Sequence, residues 1–154
     1  MKTQTGYSMP ELMIVVLIIS ILAAIAIPNL KSYLVRAKVT NLILAAEPAK
    51  LAVSELLING RTDAEITNDT AVIKENINSE MVNSLKIAGH LITVTSNPKG
   101  LGLGKTENAL QLKFQAIEDG DSILWRCGLP QEQLDKYKAY VPDNCRQAIE
   151  STGK

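Results

Sequence analysis

Apolar residues are unevenly placed along this chain, and their spacing changes character twice. Residues 12–27 carry no charge, and Ser20 is the only polar side chain among them. That run is too continuous for the stripe of a surface helix. Counted with Leu30 and its flanks, it reaches the ~20 residues that a bilayer crossing needs. Beyond it, Val35, Val39, Leu42, Ala46, Ala49, Val53 and Leu56 follow at alternating spacings of four and three, with polar residues expected opposite. This is the stripe of a helix laid on a globular core, although a coiled-coil seam has the same period. Its alanines and length favour packing on a sheet. Together the two patterns predict one long helix over about residues 8–57, apolar all round in its first half and amphipathic in its second. Pro28 and Pro48 lie within it and are expected to kink it, or in the case of Pro28 to kink or locally melt it.

After the helix the period changes. Residues 59–78 are polar and turn-rich, and read as a loop with room for a short helix. Residues 81–88 form a weak strand pattern, and residues 91–95 (LITVT) a strong one, rich in β-branched side chains. Leu110, Leu112 and Phe114 alternate with polar neighbours, as do Ile123 and Trp125, and an Asp119-Gly120 turn signal stands between the two runs. The expected fold is α+β: a long N-terminal helix packed on a small antiparallel sheet. No internal repeat is present.

Composition narrows the function classes. The chain has 154 residues, enough for one domain with a single core, and 16 basic residues balance 16 acidic ones. An overall electrostatic fit to nucleic acid or to an anionic membrane is therefore not expected. Cys127 and Cys145 lie close together behind a segment that reads as exported, so a disulfide is favoured over two free thiols. With only His90 to join them, they cannot complete a closed four-ligand zinc site. The stretch Gly100-Leu101-Gly102-Leu103-Gly104-Lys105-Thr106 ends like a phosphate-binding loop, but Lys99 stands where that loop needs glycine. Glu118, Asp119 and Asp121 read as a turn rather than a calcium loop, and His90 as a surface or edge residue. Nothing forms a catalytic constellation, so neither an enzyme nor a cofactor is expected.

One residue stands out. Glu11 sits at the edge of the apolar run, where a carboxylate is expensive and is usually paired. A cleaved secretory signal does not explain it, because no small-residue cleavage site follows the run. The only such break, Gly6, precedes it. A cut after Gly6 would free an α-amino group at Tyr7, close to Glu11. Between packed helices, one subunit's acid could then meet another's amine, and such an ion pair acts as a register device.

The string Gly6 | YSMPELMIVV…ILAAIAIP resembles the signature of the type IV pilins. The resemblance implies a short leader (residues 1–6), cleavage after Gly6, N-methylation of Tyr7, and Glu11 as the fifth mature residue, used in assembly. It departs from the usual pattern in having Tyr7 where phenylalanine is common and Pro10 where an aliphatic residue is common. The WRC…PDNC arrangement is similar to the family's C-terminal disulfide loop, here Cys127–Cys145. Residues 7–30 would then be the transmembrane and filament-core helix, and residues 31–154 the globular head.

What the family implies is a homo-oligomeric helical filament. Its partners would be a prepilin peptidase/methyltransferase, the inner membrane of a Gram-negative bacterium before assembly, and the pilus assembly machinery. The finished extracellular pilus would serve adhesion, motility or DNA uptake, with a host surface or DNA as contacts. Three readings compete with a major pilin. A minor pilin or a type II secretion pseudopilin would share the N-terminal code. A DNA-binding variant could use Lys136, Lys138 and Arg146 as a local patch. A plain single-span anchored protein would keep Met1.

Overall fold

A computed structural model describes residues 6–102, 109–120 and 122–150, with the side chains of residues 28, 29 and 31 excepted. Residues 1–5 of the expected leader, residues 103–106 of the glycine-rich stretch and Asp121 lie outside them. The chain divides into two compact units, Met1–Leu34 and Val35–Lys154. Helix α1, Met9–Ile58, begins in the first and ends in the second. It runs on through Pro28 and Pro48 without interruption, so the helix does not melt at Pro28. Each proline still removes one backbone hydrogen bond from the ladder.

In the first unit the apolar run is bare. The large side chains from Leu12 to Ile27 are all exposed, and the segment is long and apolar enough to cross a membrane. Its one polar side chain is self-contained: the Ser20 hydroxyl donates to the Val16 carbonyl at 2.7 Å. A hydroxyl bonded to the preceding turn can enter an apolar environment without leaving its donor unmade.

The second unit is built on the predicted stripe. Val39, Leu42, Ala46, Ala49 and Val53 are buried, but the last place goes to Leu57, with Leu56 only partly buried. A helix of 3.6 residues per turn drifts against a strict four-three spacing, and after several turns the neighbouring residue faces the core. Four antiparallel strands complete that core in the order β1-β2-β3-β4: Val82–Ala88, Leu91–Ser96, Gln111–Asp119 and Ser122–Gly128. Their register sets Leu85 opposite Val94, and Ile92 and Val94 opposite Phe114 and Leu112. These residues are buried and share one cluster with the helix stripe. Two polar ties fix helix to sheet. The Trp125 indole N–H donates to Ser54 Oγ at 3.2 Å, and the Lys50 ammonium lies 4.6 Å from the centre of the Phe114 ring.

Two expectations about this unit change. The face of α1 turned from the core is not simply polar, because Leu44, Leu51 and Ile58 recur every seven residues at 61%, 73% and 73% exposure. Residues 59–78 hold no helix and instead cover the free edge of β1. Asn68 Oδ1 accepts the Ile87 N–H at 2.7 Å, its Nδ2 donates to the Leu85 carbonyl at 2.8 Å, and the Leu85 N–H donates to the Glu75 carbonyl at 2.8 Å. An edge strand that would otherwise template foreign pairing is thereby satisfied from within. His90, read from sequence as a surface or edge residue, is partly exposed between two carboxylates. Its Nδ1 meets Asp63 Oδ1 and its Nε2 lies 3.3 Å from Glu118 Oε1, joining the loop to β3.

The Cys127–Cys145 disulfide is formed. In sequence it encloses the short helix Gln131–Tyr137 (α3, after α2 at Pro98–Leu101) and the 3-10 turn Asp143–Cys145. Beyond it the chain returns beside the end of β4. The Leu129 N–H donates to the Gln147 carbonyl at 2.9 Å, the Ile149 N–H to the Leu129 carbonyl at 2.8 Å, and Gln147 Nε2 to the Cys127 carbonyl at 2.8 Å. The enclosed loop reaches α1, where Arg36 Nη2 donates to the Ala139 carbonyl at 2.6 Å. Gly128 makes the close return possible, since a Cβ there would lie 2.5 Å from the Gln147 carbonyl oxygen.

Two outcomes are expected for this end of the head. Cys145→Ser should lower unfolding stability by roughly 3 kcal/mol, the entropy of closing a loop of this size, read from denaturant titration against the oxidised parent. Gly128→Ala should cost about 1–3 kcal/mol with the disulfide intact, and an unchanged midpoint would show that the returning segment is not tightly packed there.

Candidate functional site

The residues singled out by sequence meet at the start of α1. Gly6 and Tyr7 are exposed and precede the helix, which opens at Met9. Ser8 therefore occupies the position just before the first helical residue, and its carbonyl accepts the Leu12 N–H at 3.3 Å. Pro10 falls in the first turn. The amides there have no intrahelical acceptor, so a residue without an N–H removes nothing from the ladder. Its fixed φ suits the helix, and the departure from the usual family pattern is accommodated locally.

Glu11 lies in the same turn, where a negative charge is favoured by the unpaired amides of the helix start. Both of its described bonds come from one residue. The Ser8 N–H donates to Glu11 Oε2 at 2.8 Å, and the Ser8 hydroxyl donates to the same oxygen at 2.7 Å. Ser8-Met9-Pro10-Glu11 thus makes the acid's half of a capping box, with the carboxylate at the third helical position reaching back to the N–H of the residue before the helix, while the serine hydroxyl also donates to the acid. The motif is written plainly in four residues, and the sequence reading missed it by treating Glu11 only as half of an ion pair. Tyr7 and Glu11 border one shallow groove with Leu12, Ile14 and Val15. A second apolar groove, lined by Met9, Met13, Val16 and Leu17 among others, follows along the helix.

The remaining candidates are placed elsewhere and do other work. Cys127 and Cys145 are joined to each other and lie in the head. Of the three basic residues that could have formed a patch, Arg146 is occupied: its Nη1 pairs with Asp143 Oδ1 at 2.6 Å, and its Nε donates to the Val141 carbonyl at 3.3 Å. The Lys136 ammonium lies 5.3 Å from the centre of the Tyr137 ring. Among the described residues no group of His, Cys, Asp and Glu could hold a metal ion.

The site is thus a capped, negatively charged helix start leading into a bare apolar rod, and it offers a contact surface rather than a reaction chamber. Comparison with known proteins agrees at both ends of the chain. The prokaryotic N-terminal methylation motif matches residues 1–27, and the pilin family of bacterial filaments matches residues 35–146. A fimbrial protein of Neisseria meningitidis serogroup B is 34% identical over 155 aligned residues, covering 98% of this chain and 87% of that protein. A fimbrial protein of Eikenella corrodens is 32% identical, covering 98% and 96%. A type IV major pilin protein of Neisseria gonorrhoeae is 33% identical over 129 residues, covering 82% and 71%. With its head and its N-terminal helix each matched on their own account, this chain belongs to the pilin family, whose members are structural subunits of filaments and not enzymes.

Proposed function

We propose that this chain is a major subunit of a type IV pilus, cleaved after Gly6, N-methylated at Tyr7 and polymerised into a helical surface filament. The observation that carries this reading is Glu11, an acid at the mouth of an apolar helix whose side chains are bare. Such a helix must leave water, first for a bilayer and then for a bundle of its own kind. The acid then needs a cation at the same depth, and the amine freed at Tyr7 of a neighbouring subunit supplies it. The names of the relatives, major pilin and fimbrial protein, support the reading.

The division of labour follows. Residues 1–6 are the leader, removed by a prepilin peptidase that also methylates Tyr7. Residues 7–30 hold the precursor in the inner membrane of a Gram-negative bacterium and later line the filament centre. Residues 31–154 form the head on the extracellular pilus, where adhesion, motility or DNA uptake is performed. Pro28 gives the helix a point at which to bend as it passes from filament core to head, and Pro48 a second within the head. The Cys127–Cys145 loop favours a pilus subunit over a type II secretion pseudopilin, because major pseudopilins usually lack such a loop. The exposed seam of Leu44, Leu51 and Ile58 supports packing against other subunits, since a seven-residue apolar repeat is what a facing helix reads.

Mass spectrometry of the native N-terminal peptide should find Tyr7 first and carrying a methyl group, and Glu11→Ala should leave that processing intact while abolishing incorporation into filaments. Detection of Met1 in the mature protein, or normal filaments from the mutant, would sink the reading. Leu51→Glu should shift head stability by no more than about 0.5 kcal/mol, as for an exposed position, yet lower the yield of sheared filaments. Equal yields from parent and mutant would remove the seam from the assembly surface.

A further inference from the structure

Both bonds that Ser8 makes to Glu11 end on one oxygen, Oε2. Among the described residues, Oε1 receives no hydrogen bond and no ion pair. We propose that Ser8 is a positioning residue for assembly: it grips Oε2 and leaves Oε1 as the seat for the cationic amine of a second copy of this chain. The proposal rests on the assembly reading of Glu11 above and adds to it the residue that sets the carboxylate's geometry.

The same device recurs in the head with its second oxygen filled. Thr62 stands three residues before Glu65, and its N–H and hydroxyl donate to Glu65 Oε2 at 2.9 Å and 3.0 Å. There the other oxygen, Oε1, takes a cation, Arg61 Nη1, at 3.4 Å. The Thr62 bonds, backbone first and then side chain, are the main reason that the Glu65 carboxyl titrates below its ordinary range. Thr62-Asp63-Ala64-Glu65 therefore shows how this chain builds a two-oxygen acid: one oxygen held by the local turn, one given to a positive group. Ser8-Met9-Pro10-Glu11 is the same construction at one oxygen, and among the described residues no cation lies on the other.

Two further points fit. The donors at Ser8 are its own hydroxyl and the amide of the Tyr7–Ser8 bond, so a cut after Gly6 leaves both in place. The grip on Glu11 survives processing, while the Tyr7 nitrogen becomes the amine. Burial supplies the need for it. An ion pair in an apolar bundle holds together only when further hydrogen bonds satisfy the remaining lone pairs of the acid. An amine alone would leave most of the Glu11 carboxylate unpaired; with Ser8, three donors reach it.

The test separates positioning from simple helix capping. Full-length chain carrying Ser8→Thr, Ser8→Asp or Ser8→Val is expressed in an assembly-competent bacterium lacking its own copy. Sheared filament is measured per processed subunit, with processing read from the N-terminal peptide mass. Threonine keeps the hydroxyl donor and should assemble within about twofold of the parent. Aspartate caps a helix as well as serine does, but its side chain cannot donate to Glu11 and repels it. It should assemble about tenfold less or worse, the equivalent of one hydrogen bond to a charged group. Equal assembly of the Asp and Thr variants, with equal helix content by circular dichroism, would overturn the proposal. Should Ser8→Asp escape cleavage, Ser8→Val decides, because valine matches threonine in shape without a hydroxyl; a processed Val variant that assembles like the Thr variant overturns the proposal equally. Glu11→Gln runs alongside. If it assembles normally, the role of Glu11 itself is wrong and that of Ser8 falls with it. If it fails while the Ser8 variants are alike, only the positioning role is lost.

Discussion

Water is a poor solvent for residues 12–27, and that constraint bears on the rest of the molecule. The side chains there are large, aliphatic and bare, and each gains about 1.5–3 kcal/mol on leaving water. A bilayer or a bundle of like helices can supply that gain. Either one makes the single acid at the helix start a problem in electrostatics. Glu11 must bring its hydrogen bonds with it or find them at its destination, and Ser8 already provides two.

The second half of α1 lives under a different constraint. It has a core to serve, and its small residues, Ala46 and Ala49, are buried in that core with Leu42 and Val53. Around that core the head is finished by local devices. The loop of residues 59–78 satisfies the edge of β1, and the Cys127–Cys145 bond fixes the returning C-terminal segment beside β4. A sheet with its β1 edge covered is suited to an assembly in which many heads crowd together, because unpaired strands would otherwise recruit one another. The helix keeps one apolar seam free on its outer face, through Leu44, Leu51 and Ile58. That seam has the period of a helix–helix contact and lies in the unit that the pilin family covers.

Much of this was written in local spacing. A 3.6-residue period, a two-residue alternation and an uncharged run are properties of neighbours along the chain, and the long helix, three of the four strands and the apolar segment follow from them. The weak pattern over residues 81–88 was the least legible strand, and it is the one held by a loop at its outer edge. Ser8 and Glu11 are also near neighbours. Their pairing was open to a sequence reading that looked for S-x-x-E before an apolar run instead of for a distant cation.

Sequence by itself determined where this chain must leave water, where its helix turns a stripe to a core, and which N-terminal residues resemble a pilin's. Tertiary structure alone decided which of two adjacent leucines closes the stripe, that Asn68 stands in for a strand beside β1, that His90 links Asp63 to Glu118, and that Arg146 is taken by Asp143. The physical reason is range. Periodicity and caps are settled within a few residues, where the backbone fixes the geometry. The partners of a side chain reaching across a loop or a sheet depend on how separate segments are stacked, and no local pattern records that.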